Sequence, residues 1–360
     1  MAELSNRCIA LVGGAGFIGH NLALKLKERG AEVAVIDSLA VNNYYHFKDN
    51  LDVLPSATLY LGILEHRLAL LKEHGIPLIE LDARDYHALS RIFTRLQPDT
   101  VVHLAAVAHA DKSNHDPLAT FDHSLRTLEN ALDNARSPRL GIRHFVYFSS
   151  SMIYGNFPSE VVTEETPCDP IGIYGALKLA GERIVIAYNQ VFHVPYTIIR
   201  PSALYGPRCV SRRVGQALIE NAMQGLEITI QGDGSDRLDF TYIDDLVQGV
   251  VRVLTHESAK NQILNLTYGE SRSIAEMAEI LAQHFPEVRI RNQSRDKLMP
   301  RRGTLSVDKA RRLIGYEPQY PLEKGFVEYI QWYRSIWSRL HESESARVDR
   351  AARPDYAHVG

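Results

Sequence analysis

Tyr174 and Lys178 stand four residues apart in Tyr174-Gly-Ala-Leu-Lys178, so a helix would carry both on one face. An ammonium beside a phenol favours the phenolate, and the pairing predicts a tyrosine pKa below its ordinary value of about 10. A phenolate near neutral pH can take a proton from a hydroxyl. Upstream, the run Phe148-Ser-Ser-Ser-Met-Ile-Tyr-Gly155 supplies serine hydroxyls that could hold a substrate oxygen and pass a proton along. Alone, a Tyr-x-x-x-Lys spacing describes many exposed helix faces. With the serine run and a glycine turn near the N-terminus, it reads as an acid–base site.

That turn is Gly13-Gly-Ala-Gly-Phe-Ile-Gly19, which fits both GxGxxG from Gly14 and GxxGxxG from Gly13. Glycines there permit a tight bend and let the backbone approach a pyrophosphate. The helix that follows offers free N–H groups and a positive dipole end. Asp37 ends the next strand, 18 residues after Gly19. Its carboxylate can accept from both hydroxyls of an adenosine ribose and would repel a 2′-phosphate, so NAD is expected rather than NADP. Asp82 could meet the adenine amino group, and Leu104-Ala105-Ala106 could line the cofactor with small residues.

These residues need a frame that brings strand ends together. Strand-like runs at 8–12, 31–37, 78–82, 100–106, 144–149 and 196–200 alternate with helix-like segments at 17–29, 86–96, 117–135 and 173–191. Alternation of this kind implies βαβ units and a mainly parallel sheet covered on both faces. The long connection 42–77 ends in amphipathic spacing and reads as an inserted helical hairpin or lid. The stretch 341–360 is polar, Arg/Ala-rich and weakly periodic, and reads as a tail.

The chain has 360 residues, which suggests about two domains. A hydrophobic fraction of 45% and a charged fraction of 23% exclude a wholly disordered, collagen-like or coiled-coil chain. The net charge of -3 gives no bulk pull toward nucleic acid or anionic membrane, so neither is an expected partner. No apolar run is long enough to span a bilayer. Cys8, Cys168 and Cys209 form no CxxC pair, which argues against a disulfide framework and suits a cytoplasmic protein. His103, His109, His115 and His123 cross a strand, a loop and a helix, so no metal site is expected.

The ordered motifs resemble the extended short-chain dehydrogenase/reductase family, in particular its nucleotide-sugar epimerases. The resemblance covers about residues 7–335. It rests on the glycine turn, Asp37, Val101-Val-His-Leu-Ala-Ala106, the serine run, Tyr174 and Lys178, Arg200-Pro-Ser-Ala-Leu-Tyr-Gly-Pro207, Gly232-Asp-Gly234, Asp239-Phe-Thr-Tyr-Ile-Asp-Asp245 and Arg301-Arg-Gly303. It implies an α/β fold: a Rossmann doubly wound parallel sheet with a smaller C-terminal α/β substrate lobe. The NAD-binding domain would be 1–200, with 239–256 returning to it. The substrate lobe would be 201–238 and 257–335. It also implies tightly held NAD, a nucleoside-diphosphate sugar as substrate, and a homodimer through helices near 117–135 and 173–191.

By the same resemblance the catalytic residues are Tyr174, Lys178 and Ser150. The cofactor contacts are Gly13, Gly16, Phe17, Ile18, Gly19, Asp37, Asp82, Ala83, Leu104, Ala105, Ala106 and Ser124, with Tyr174 and Lys178. The substrate contacts are Ser113, Ser151, Met152, Arg208, Arg237 and Arg301. The family's dehydratases carry Thr-Asp-Glu where Ser150, Ser151 and Met152 stand here, so the groups that eliminate water are absent. What remains is epimerisation, at C4, through a transient keto-sugar with the hydride stored on NAD. A keto-sugar reductase of the same family is the alternative. Three positions depart from the pattern: Ser124 and Ala203 replace asparagines, and Leu238 replaces an arginine that stands one residue earlier as Arg237. The arginines 208–213 could take an acidic sugar such as a uronate.

Overall fold

The structure, a computed structural model, describes residues 3–51, 56–107, 110–296 and 299–351. Its main sheet has seven strands: β1 (Cys8–Val12), β2 (Glu32–Asp37), β3 (Leu78–Glu80), β4 (Thr100–His103), β5 (His144–Phe148), β6 (Tyr196–Arg200) and β7 (Gln262–Asn265). They lie in the order β3-β2-β1-β4-β5-β6-β7 and every pairing is parallel. β4 and β5 are buried along their whole length, as a sheet covered on both faces requires. The strand order reverses between β1 and β4, and a doubly wound sheet opens its ligand crevice at that point.

One face of the sheet is packed by helix Phe17–Glu28 together with Ile243–Thr255: Leu22 and Leu26 share a core with Leu246, Val250 and Val253. The other face holds Leu128, Leu132 and Val185 against Phe145 and Tyr147. A second core gathers Tyr205, Ile219, Met277, Phe326 and Tyr329. Leu59, Tyr60 and Ile63 of the inserted segment join that second core, so the insertion is packed against it.

The insertion is two helices, Tyr44–Asp49 and Ala57–Glu73. Three segments differ from the sequence expectation. The helix expected over 117–135 is interrupted by a π-helical turn at Asp122–Arg126, between Pro117–Phe121 and Thr127–Ala135. Segment 257–335 does not lie wholly outside the main sheet, because β7 pairs with β6 as its edge strand. Four residues bounded by a helix and a loop carry too short a pattern to show which sheet they join. Finally, helix Leu322–Ala351 runs into the stretch expected to be a tail. Glu, Ala and Arg favour helix, and adding turns to an existing helix is far easier than nucleating one, so no apolar stripe is needed there. Residues 352–360 lie outside the described residues.

Candidate active site

The glycine turn joins β1 to helix Phe17–Glu28. Gly13 has φ +80°, and a Cβ there would come within 2.5 Å of the Ala105 backbone nitrogen, so only glycine fits. Gly16 caps the helix and supplies no side chain to its first turn, which leaves backbone N–H groups free to meet an anion. A Cβ on Gly16 would find no atom closer than 3.4 Å, so the space above the turn is open.

That space belongs to a cavity of about 470 Å³ at the carboxyl ends of the strands, within the range of small-molecule sites. The eleven residues expected around adenosine and diphosphate line it: Gly13, Gly16 through Gly19, Asp37, Asp82, Ala83 and Leu104 through Ala106. Asp37 is buried and accepts from the Ala15 N–H at 2.9 Å and the Leu39 N–H at 2.8 Å. Burial pushes its carboxyl up while those two donors pull it back. Each oxygen keeps a lone pair for a ribose hydroxyl. Asp82 is held by Arg84 in an ion pair of 2.6 Å, so it reaches the cavity rim with its charge already partnered. Ser124 is buried in the π-helical turn, flanked by His123 and Thr127, which do line the cavity. Open space over the turn, uncapped N–H groups and the Asp37 carboxylate together fit a dinucleotide such as NAD.

The expected trio of Ser150, Tyr174 and Lys178 is linked to this cavity through Arg213, which lines it and bears on Tyr174. Ser150 caps the short helix Ser151–Tyr154, its Oγ accepting from the Met152 N–H at 3.2 Å, and it favours the ionised form of the Tyr174 phenol. Tyr174 rides the first turn of helix Gly172–Phe192. Gly175 lets that helix close on the serine run, since a Cβ there would sit 2.8 Å from the Met152 carbonyl oxygen. Lys178 is buried one turn on, but its Nζ donates to the Phe148 carbonyl at 2.7 Å and lies 6.0 Å from the centre of the Tyr174 ring.

The expected fall in the tyrosine pKa is therefore not met by the protein alone. Burial raises it, and the groups that lower it are Arg213 and Ser150, not Lys178. Burial brings the Lys178 ammonium down to about 8, with Glu182 acting the other way. Glu182 lies one turn past Lys178 and forms a buried ion pair of 2.8 Å with Arg200.

The expected substrate contacts divide. Met152 stays at the serine run beside Ser150. Ser113 is buried in helix Ala110–His115, where the neighbouring Asn114 accepts from the Ile173 N–H at the start of the Tyr174 helix. The other four are not brought to Tyr174. Ser151 is buried and donates to Ser202 at 3.1 Å. Arg208 is turned back onto the first helix, donating to His20 Nε2 at 2.9 Å and Asn21 Oδ1 at 2.5 Å. Arg237 spends its guanidinium on Ser271 and faces Glu276. Arg301 is exposed, with its backbone tied to Asn156 and Phe157.

Three further candidate arginines lie close by. Arg212 and Arg213 line the cavity, and Arg213 is the cation that bears on Tyr174. Arg302 is half-buried, its Nε shielded from solvent and unpartnered, under the field of Arg213. Adjacent residues along an extended segment face opposite ways, so Arg301 and Arg302, both candidates by type, differ in exposure. No group of three His, Cys, Asp or Glu converges as a metal site among the described residues, and His109 lies outside them. No helix among the described residues is long and apolar enough to cross a membrane.

The signature of the NAD dependent epimerase/dehydratase family matches residues 9–267. The chain belongs to this family. A relative in Arabidopsis thaliana, UDP-glucuronate 4-epimerase 1, is 29% identical over 91% of this chain and 77% of its own. An uncharacterised UDP-glucose epimerase of Bacillus subtilis (strain 168) is 30% identical over 91% of this chain and 98% of its own. Among solved structures of the family, UDP-glucuronic acid 4-epimerase from Bacillus cereus, in complex with UDP-glucuronic acid and NAD, superposes with a TM-score of 0.79. It is 25% identical and covers 91% of this chain and 99% of that one.

Proposed function

We propose that this family member is an NAD-dependent epimerase that inverts C4 of a UDP-uronate, UDP-glucuronate being the first choice. The observation that carries the reading is Tyr174 under the influence of Ser150 and Arg213, with Arg213 on the wall of a cavity that has the donor set for NAD. Positions 151 and 152 hold a serine tied to Ser202 and a methionine, so no second acid–base group stands ready to eliminate water. The acidic sugar is supported by Arg212 and Arg213 on the cavity wall, since guanidinium forks suit carboxylates.

Bound NAD would supply the acceptor, and afterwards the donor, of a hydride. Tyr174 as phenolate takes the proton of the sugar hydroxyl, and Ser150 holds the same oxygen. The keto-sugar then turns, and Tyr174 returns the proton to the oxygen on the opposite face. Lys178 ties the Tyr174 helix to the Phe148 carbonyl and so holds the phenol in place, while Arg213 favours the phenolate. Net redox is zero, so a retained cofactor suffices.

Further parts of the reading are a cytoplasmic homodimer serving carbohydrate biosynthesis, with segments 201–238 and 257–335, apart from β7, holding the sugar nucleotide. Leu118 and Phe121 on one helix, and Val191 and Phe192 on another, are exposed apolar residues suited to a subunit contact. The decisive experiment incubates the as-purified protein with UDP-glucuronate and, separately, UDP-glucose, without added cofactor, and follows products by NMR. UDP-galacturonate at equilibrium supports the proposal. Consumption of added NAD(P)H without it overturns the proposal.

A further inference from the structure

Arg67 heads the large side chains that are fully buried, and none of its hydrogen bonds among the described residues goes to a carboxylate. The carboxylate whose charge bears on it is Asp37, which it does not touch, and burying a guanidinium without a directly bonded counter-charge is costly. Its position points to an anion held at the glycine turn. Arg67 projects from the inserted helix Ala57–Glu73. Its Nε donates to the Arg208 carbonyl at 2.9 Å, and one terminal nitrogen reaches the same oxygen. The other terminal nitrogen reaches the Ala15 carbonyl at 3.5 Å and Asn42 Oδ1 at 3.4 Å. One side chain thus touches the glycine turn, the loop after β2 and the loop after Gly206. Asn42 and Val210 through Arg213, from those two loops, wall the cavity.

A second link joins the insertion to the same loop. The Tyr60 hydroxyl donates to Glu220 at 2.7 Å. Glu220 also accepts from Tyr333 at 2.7 Å and Gln216 at 2.8 Å, and stands 3.8 Å from Arg212. On the far side, Arg208 is pinned to His20, whose Nδ1 bonds the Gly16 carbonyl at 2.8 Å. The loop is therefore held down on the cofactor helix from both directions. Two guanidinium groups, Arg67 and Arg208, lie together behind the turn, and burial and mutual repulsion bring Arg67 down to about 10.

We propose that Arg67 is a positioning residue for cofactor retention: it clasps the 208–213 loop to the glycine turn and sets a positive charge behind the bound diphosphate. The inserted hairpin is then the part of the chain that keeps the dinucleotide in place between turnovers. An enzyme that must return a hydride to the sugar it came from stalls if its reduced cofactor leaves. The proposal rests on the cavity being an NAD site and is independent of which sugar is used.

The test uses the full chain stripped of cofactor, titrated with NAD by calorimetry, with release followed by stopped-flow protein fluorescence. Arg67→Met is expected to weaken NAD at least ten-fold, chiefly by faster release, while the melting temperature of the stripped protein holds or rises. Arg67→Lys keeps the charge but not the fork and should fall between. Tyr60→Phe should hasten release with the charge untouched. NAD affinity and release within two-fold of wild type in Arg67→Met overturn the proposal. So does a loss of affinity that only tracks a lower melting temperature of the stripped protein. If Arg67→Met does not fold, wild-type release rates in both Arg67→Lys and Tyr60→Phe overturn it. Failure of the wild-type stripped protein to bind NAD sinks the cofactor reading instead.

Discussion

The Lys178 ammonium gives its hydrogen bond to the Phe148 carbonyl, at the end of β5, and not to Tyr174. A helix residue is thereby nailed to the strand that leads into the serine run, so lysine, serine and tyrosine are fixed at the carboxyl end of one interior strand. The cation that bears on the tyrosine is Arg213.

Tyr174→Phe removes the proton acceptor and leaves the cavity lining unchanged. Turnover should fall by about 10²–10⁴-fold, the usual worth of a positioned acid–base group. NAD content after purification should match wild type. Turnover near that of wild type would rule out Tyr174 as the base.

Arg213 lowers the Tyr174 pKa against the opposing effect of burial, so Arg213→Gln should move the acidic limb of the kcat/KM profile to higher pH. In the same variant the KM for UDP-glucuronate should rise more than that for UDP-glucose. A pH profile superimposable on wild type would remove Arg213 from the site.

Lys178→Met should give an inactive but more stable protein. Burial depresses the folded-state pKa to about 8 from 10.5, so at neutral pH the folded chain holds a charge the unfolded chain holds more easily. Below about pH 8 this penalty is complete, with an upper bound of roughly 3 kcal/mol. Between about 8 and 10.5 it fades as pH rises, because there the unfolded state binds more protons. Chemical denaturation of cofactor-free protein at pH 7 and pH 10 checks this. The gap between variant and wild type should narrow at the higher pH.

Gly175→Ala places a methyl group 2.8 Å from the Met152 carbonyl oxygen, so the Tyr174 helix must move away from the serine run. Overpacking of this kind costs about 1–3 kcal/mol. The loss of turnover should exceed what the loss of stability explains, since Tyr174 shifts with the helix. Measuring kcat well below the melting temperature separates the two.

Leu118→Glu adds a charge to an exposed apolar patch on helix Pro117–Phe121. If that patch is the subunit contact, wild type sediments as a dimer and the variant as a monomer. A monomeric wild type at micromolar concentration would dispose of the contact.

How much of this could be read from residues alone depended on how local the cause was. Gly13 is dictated by its own φ and by Ala105, and Asp37 by its place at a strand end, so type and spacing were enough. Tyr174 and Lys178 share a helix turn, and their pairing was legible for the same reason. Arg67 meets its acceptor 141 residues along the chain and Tyr60 meets Glu220 160 residues along. No window of sequence contains such a pair. The arginines were legible only by type: Arg208 lies in the expected loop, but its φ of 67° and its bonds to His20 and Asn21, far along the chain, set where its guanidinium rests. The edge strand β7 was missed because its identity lies in its partner, Tyr196–Arg200, and not in its own four residues.

That strand has a consequence for how the protein is made. β7 lies 62 residues beyond the end of β6, with Ile243–Thr255 between them, so the main sheet is unfinished until residue 265 has been synthesised. Parallel pairing across so long a loop is slow, and an open sheet edge is exposed to other chains meanwhile. During translation the cofactor half cannot mature as an independent unit ahead of the rest. Fragments ending between residues 201 and 261 should emerge as species that need chaperones, and full-length chains as the first that do not.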